Sequence, residues 1–219
     1  MADERADDGA DDAPVLPEDE RGTSRLEAFS DGVMAVAITL LVLDVHVPAV
    51  QQNLGAALLG QWPIYLGYVT SFLLIGIYWA NHHSLFRWIA RTDSPFLMIN
   101  TVFLMVLVFI PFATALLTHY LPDPENKHIA AFVYILVLTL TALLFYLVWL
   151  YASSGRRLLR ADVDERVVRA TTRAYLLGPL SNLAALLISL VNVEASLAFL
   201  ILLAVFYSLP ANFLRPRRH

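Results

Sequence analysis

Long apolar runs, separated by polar or charged connections, make up most of this chain. They lie at about 25–46, 57–84, 95–118, 128–152, 167–191 and 194–213. A run of about 20 apolar residues forms a helix that crosses a bilayer, and alternation of period two, which indicates a strand, is sustained nowhere. The pattern predicts an all-α membrane protein with six transmembrane helices.

The first run has recognisable start and stop signals. Ser24 with Glu27 three residues later matches a capping box, which places the first helical residue at Arg25. Pro48 disfavours helix at the residue before it, so the helix is expected to end near His46. About 22 residues at roughly 1.5 Å per residue give roughly 33 Å, which is enough to span a bilayer.

Basic residues gather on one side of the predicted bundle. Six spans place both termini on the same side as the connections between spans two and three and between spans four and five. These segments hold every lysine and arginine except Lys127. The positive-inside rule therefore places both termini in the cytoplasm.

Composition supports a membrane protein and divides the chain. With 58% hydrophobic residues, 16% charged residues and a mean hydropathy of +0.62, a water-soluble domain is excluded. Residues 1–22 hold nine of the nineteen carboxylates, so residues 1–23 are predicted to form a disordered acidic cytoplasmic tail. Residues 24–214 form the predicted six-helix domain, and residues 215–219 form a basic cytoplasmic tail.

Several functional classes lack their usual signals. The chain has no cysteine, which excludes disulfides and Cys-ligated metal sites. We find no nucleotide-binding loop and no spacing typical of a catalytic triad, so we expect neither an enzyme nor a nucleic-acid partner, and no resident cofactor.

Polar residues of the first three helices fall at a similar depth near the cytoplasmic side. Ser30 and Asp31 lie about six residues into the first helix, and the ascending third helix carries Asn100 about six residues in. The descending second helix brings Asn81, His82 and His83 to the same layer. Polar groups in lipid usually pair inside the bundle, so a structural hydrogen-bonded network is expected. A proton relay or a metal site are the alternatives; adjacent histidines project about 100° apart on a helix, which disfavours their sharing one ion.

The rest of the first helix carries an apolar stripe. Gly32, Val36, Leu40 and Leu43 follow an i, i+4, i+8, i+11 spacing, and Thr39 lies beside them. Helix packing, lipid contact and pore lining all produce such a stripe, so the pattern alone leaves these three readings open.

Two sequence motifs resemble those of a known family and thereby favour one of these interpretations. Residues 25–32 read R-L-E-A-F-S-D-G, with the signature R-x-x-x-F-S-D, and residues 78–86 read Y-W-A-N-H-H-S-L-F. Together with the six-span layout and the basic connection between spans four and five, they resemble the prokaryotic members of the transmembrane protein 175 family of potassium channels. The resemblance covers roughly residues 24–214.

The resemblance implies a homotetramer in the bacterial plasma membrane, in contact with lipid, that conducts potassium ions. Its first helices would surround a pore without the T-V-G-Y-G filter of ordinary potassium channels. The constriction falls on Val36, Leu40 and Leu43, with Thr39 beside it. The resemblance implies isoleucine or leucine at the narrowest position, where this chain has Val36. A wider constriction is therefore expected.

Two further roles complete the prediction. Arg25, Ser30 and Asp31 are implied to support the first helix by bonding to the second. Asp44 at the outer mouth would place four carboxylates in a tetramer and concentrate cations; the alternative is a helix-end acid in the headgroup region. The alternative function is a proton-coupled secondary transporter that uses Asp31 with His82 or His83.

Overall fold

A computed structural model describes residues 18–49 and 53–208, and these ranges contain α-helices and no β-strand. The helices are α1 Glu18–Leu40, α2 Leu54–Gly60, α3 Trp62–Phe86, α4 Ser94–Leu107, α5 Ile110–Tyr120, α6 Lys127–Ser153, α7 Glu165–Ser189 and α8 Val193–Ser208. The predicted all-α class is confirmed. Residues 1–17 of the acidic tail, the end of the sixth run and the basic tail lie outside the described residues.

Four helical segments within residues 18–49 and 53–208 are long and apolar enough to cross a membrane. They are Gly22–Asp44, Trp62–Phe86, Ser94–Tyr120 and Lys127–Arg156. Helix α7 has 25 residues but begins with a charged half, and the described part of α8 has 16 residues. The count of six spans therefore stays a prediction.

The start of α1 differs from the prediction. The helix begins at Glu18, so Ser24 lies within it and the predicted capping box is wrong. Residues 18–23 belong to this helix, and the disordered acidic tail stays a prediction.

The far end of α1 tightens before it stops. The α-helix ends at Leu40, a 3-10 turn continues from Leu41 to Asp44, and Val45 is extended with φ −82° and ψ 94°. A 3-10 turn at a helix C-terminus is common. The apolar stripe thus runs from α-helix into a more tightly wound segment at Leu43.

Proline divides the third predicted span into two helices. Helix α4 ends at Leu107 and α5 begins at Ile110, just before Pro111. Proline has no N–H to donate and its ring clashes with the preceding turn, so the helix breaks there. Pro179, in contrast, lies inside α7.

Helix α6 forms the centre of the bundle and packs against α4, α5, α7 and α8. Phe145 on α6 lies 5.6 Å from Phe103 on α4, 5.0 Å from Tyr175 on α7 and 6.1 Å from Tyr78 on α3, measured between ring centroids. Tilted and edge-to-face ring pairs of this kind stabilise helix contacts. Helix α1 packs on the edge of this core, against α3, α4 and α5.

Two arginine-rich connections, α3–α4 and α6–α7, are joined by backbone hydrogen bonds. The N–H of Ala90 donates to the carbonyl of Leu158 over 2.8 Å, and that of Arg160 donates to Trp88 over 2.9 Å. Gly155, at φ +59°, provides the left-handed turn that brings the second connection back. We call this side of the molecule the arginine-rich end.

Candidate functional site on the first helix

Helix α1 has one face buried against the rest of the chain. Met34, Ala37 and Leu41 have exposed fractions of 0%, 0% and 1%, and Leu26 and Ser30 continue the same row. These residues recur every three or four positions, so they form one face of the helix. Packing of this row fixes the rotation of α1.

The opposite face of α1 is uncovered within the described chain. Val36 is 56% exposed, Leu40 38% and Leu43 71%, and a Cβ added at Gly32 would contact nothing within 4 Å. Thr39 is also exposed. The four predicted constriction residues therefore share the face that the subunit leaves open, and their pore-lining role stays a prediction.

Thr39 and Asp44 offer oxygen atoms near this face. The Thr39 hydroxyl donates to the Val36 carbonyl over 2.8 Å, which leaves the lone pairs of its oxygen available to a cation. Asp44 is half-buried and lines a cavity of about 330 Å³ with Ile64 of α3 and His119 of α5. Its carboxylate thus lies beside its own subunit at the end of α1, away from the arginine-rich end.

A chain of buried hydrogen bonds joins α1 to α3 and α4. The Nδ2 group of Asn100 donates to the Ser30 hydroxyl over 3.0 Å, and that hydroxyl donates to the Leu26 carbonyl over 2.8 Å. Nε2 of His82 lies 3.0 Å from Oδ1 of Asn100. Ser30, His82 and Asn100 all have an exposed fraction of 0%. One amide therefore bridges the first three predicted spans.

The surroundings of His82 fix its orientation. Its ring lies 4.6 Å from that of Phe86 and 6.0 Å from that of Phe103. Because a carbonyl oxygen only accepts, Nε2 carries the proton that is donated to Asn100. Nδ1 of His82 and Oδ1 of Asp31 are both buried without a hydrogen-bond partner in the part of the chain that the structure describes. The two side chains thus do not bond to each other.

The other residues of the predicted network take no part in this chain of hydrogen bonds. Nδ1 of His83 is 2.8 Å from Oε1 of Glu27, at an exposed position between α3 and α1. The Asn81 side chain lines a separate cavity of about 200 Å³ between α3, α6, α7 and α8. Arg25 is exposed and forms no hydrogen bond or ion pair within residues 18–49 and 53–208, so its predicted bond to the second span is not present in the single subunit.

Asn100 is the member of the network that motif reading did not single out. The only signal in the sequence is its depth, about six residues into the third run, at the level of Ser30 and His82. In the described part of the chain, no three His, Cys, Asp or Glu residues are arranged to bind a metal ion. The geometry supports positioning of α1 by neutral hydrogen bonds.

Comparisons with known proteins define the class. A potassium channel of Chamaesiphon minutus is 41% identical over 194 residues, which cover 87% of this chain and 95% of that protein. A potassium channel of Streptomyces collinus is 42% identical over 187 residues, covering 84% and 91%. With the all-helical bundle and its apolar spans, this similarity defines a multi-pass membrane protein of an ion-channel family, not of an enzyme family.

The family follows from a sequence model and a solved structure. The model described as endosomal/lysosomal potassium channel TMEM175 matches residues 25–111, which include most of α1 and all of α2, α3 and α4. The crystal structure of a lysosomal potassium-selective channel TMEM175 homologue from Chamaesiphon minutus superposes with a TM-score of 0.77 and 39% identity, covering 85% of this chain and 96% of that chain. The chain belongs to the TMEM175 family, which confirms the resemblance of its two motifs.

Proposed function

We propose that this protein is a potassium-preferring cation channel of the bacterial plasma membrane, in which α1 helices of four subunits surround the pore. The observation that carries the proposal is the uncovered apolar face of α1, in a chain that matches two bacterial proteins named potassium channels along almost their whole length. A single helix cannot enclose a pore, so the mechanism requires an oligomer. The number four is taken from the resemblance of the motifs.

Permeation in this proposal depends on partial dehydration. Val36, Leu40 and Leu43 form apolar rings that offer no ligands to an ion, and such constrictions gate by dewetting. The Thr39 hydroxyls replace part of the hydration shell. Potassium holds its water less tightly than sodium. A constriction that requires partial dehydration therefore favours potassium modestly. Four copies of Asp44 at the mouth would raise the local cation concentration.

The buried network supports the pore helix in this arrangement. The Ser30–Asn100–His82 hydrogen bonds set the rotation and height of α1, and thereby the side chains that meet the ion. Arg25, Asp31, Asn81 and His83 are proposed as outer supports of the same layer. Residues 24–214 form the channel domain with six spans and both termini in the cytoplasm.

The proposal is tested by potassium flux through liposomes that contain the purified protein. A potassium gradient should dissipate faster than in empty liposomes, and the potassium ionophore valinomycin provides the positive control. A folded oligomer, verified by gel filtration, that gives no flux above the empty liposomes would contradict the channel function.

The proton-coupled transporter gains no support from the relatives, which are named channels. Its mechanism needs proton exchange between Asp31 and a histidine, and these side chains form no hydrogen bond to each other in the structure. We therefore propose the channel alone.

A further inference from the structure

An apolar groove opens on the surface between α4 and α6. Its volume is about 480 Å³, and its walls are formed by Met98, Val102, Leu144 and Leu147. Tyr151 closes the groove near the arginine-rich end. Since both α4 and α6 belong to segments long enough to cross a membrane, this groove lies at the depth of the acyl chains and ends at a bilayer boundary.

Two arginines stand at the closed end of the groove. Nη1 of Arg157 donates to the Tyr151 hydroxyl over 3.5 Å, and the guanidinium carbon lies 5.7 Å from the centroid of the tyrosine ring. Nε of Arg91 donates to the backbone carbonyl of Arg157 over 3.0 Å, which ties the Arg91 side chain to the segment that carries Arg157. Both side chains are exposed, and neither forms an ion pair within residues 18–49 and 53–208.

The nearest carboxylate does not cancel this charge. One oxygen of Asp93 accepts from the N–H of Phe96, which caps α4, and the other accepts from the Tyr151 hydroxyl over 2.9 Å. Asp93 is therefore engaged by two neutral donors, and the set of Arg91, Arg157 and Asp93 keeps a net positive charge. Tyr151 connects the apolar walls to this charged end.

We propose that the groove binds an anionic phospholipid of the cytoplasmic leaflet, with one acyl chain between α4 and α6 and the phosphate on Arg91 and Arg157. A soluble phosphate would leave the apolar groove unfilled. A neighbouring subunit packed there would bury two arginines that have no ion-pair partner among residues 18–49 and 53–208, at a high desolvation cost. An anionic lipid satisfies the apolar walls and the positive end together. This site is independent of the proposed channel function.

Native mass spectrometry of the detergent-solubilised oligomer tests the site with phosphatidylglycerol and with phosphatidylcholine that has the same acyl chains. We expect tighter binding of phosphatidylglycerol. The preference should fall about tenfold in Arg91→Gln/Arg157→Gln, because each arginine near an anionic headgroup adds to the binding free energy. The matched control, Arg166→Gln/Arg173→Gln, removes the same charge from exposed positions on α7 and should keep the preference.

A fluorescence experiment locates the lipid in the folded protein in vesicles. The chain has no cysteine, so Met98→Cys and Met105→Cys each provide one site for a bimane label on α4. Phosphatidylglycerol brominated on its acyl chains should quench the label more than brominated phosphatidylcholine at the Met98 position, and equally at the Met105 position.

Three results would overturn the proposal. The two lipids could bind equally in the unmodified protein, or the Arg91→Gln/Arg157→Gln protein could keep the full preference. Brominated lipids could also fail to quench at Met98→Cys while they quench at Met105→Cys, which would show that a neighbouring subunit covers the groove.

Discussion

At the scale of single residues, the two kinds of side chain on α1 have different tasks. Polar residues attract attention first because they are costly in a membrane. Ser30, however, is fully buried and bonded to Asn100, whereas Val36 is 56% exposed on the opposite side. The polar residue is thus placed to hold the helix, and the apolar one is free to contact whatever the oligomer encloses.

A polar substitution at Val36 tests the proposed constriction directly. Val36→Asn should raise potassium flux severalfold and weaken the preference for potassium over sodium, because an amide at the constriction offers ligands and opposes dewetting. The measurement is flux or single-channel current in liposomes with each cation. Val205→Asn makes the same change at a residue of α8 with 48% exposure and should leave both quantities unaltered. An unchanged current in Val36→Asn would argue that this residue does not line the pore.

Asn100 should matter more for stability than any exposed polar residue near it. Asn100→Leu keeps the size but leaves the buried His82 N–H without an acceptor and removes the donor to the Ser30 oxygen, which costs about 1–3 kcal/mol. The midpoint of thermal unfolding, followed by gel filtration after heating, should fall by several degrees. Thr101→Val is the control, since its exposed hydroxyl bonds only to Leu97 of its own helix. Equal midpoints for the two variants would show that Asn100 does not stabilise the packing of α1.

At the scale of elements, close contacts between helices depend on small residues. Gly67 of α3 faces Thr114 and Thr118 of α5, and a methyl group at Gly67 would overlap the Thr118 methyl. Small residues let membrane helices approach each other in this way. Gly76, farther along α3, has nothing within 4 Å of the corresponding position. The same residue type thus has a packing role at one site and none at the other.

The two glycines provide a matched pair of variants. Gly67→Ala should destabilise the protein by about 1–3 kcal/mol through overpacking of α3 against α5. Gly76→Ala should be neutral or stabilise by about 0.5–1 kcal/mol, because alanine favours the helix. Thermal midpoints of the two variants and of the unmodified protein give the comparison. A stabilised Gly67→Ala protein would show that α5 moves aside at no cost.

At the scale of the whole molecule, the distribution of charge predicts which end faces the cytoplasm. The α3–α4 and α6–α7 connections are held together by backbone hydrogen bonds, so their arginines form one surface. At the other end, Lys127 pairs with Glu194 over 2.5 Å between the starts of α6 and α8. An asymmetry of this kind orients a bundle through the positive-inside rule.

Single cysteines in the cysteine-free chain test this orientation. Ala161→Cys lies on an exposed position of the arginine-rich end, and Glu125→Cys lies on the α5–α6 connection. A thiol reagent that does not cross membranes should label Glu125→Cys in intact cells and label Ala161→Cys only after the cells are permeabilised. The reverse pattern would invert the topology and place the arginines outside.

Much of this architecture is predictable from the sequence because its signals are local. Apolar runs of membrane length give α1, α3, α4–α5 and α6, and Pro111 marks the point where the third run divides. The spacing of Gly32, Val36, Leu40 and Leu43 places these residues together on one face. The same local reasoning fails at Ser24, because the helix continues on its N-terminal side to Glu18.

Only the tertiary structure shows which polar residues meet. Asn81, His82 and His83 are adjacent in the sequence, but the first faces a cavity next to α7, the second bonds to Asn100 and the third bonds to Glu27. Successive side chains on a helix project about 100° apart, so the packing of neighbouring helices selects a different partner for each. The sequence alone determined the all-α class, four segments of membrane length and the set of residues that share one face of α1. The fold decided which face is buried and that Asn100 holds it, because both depend on contacts between residues far apart in the chain.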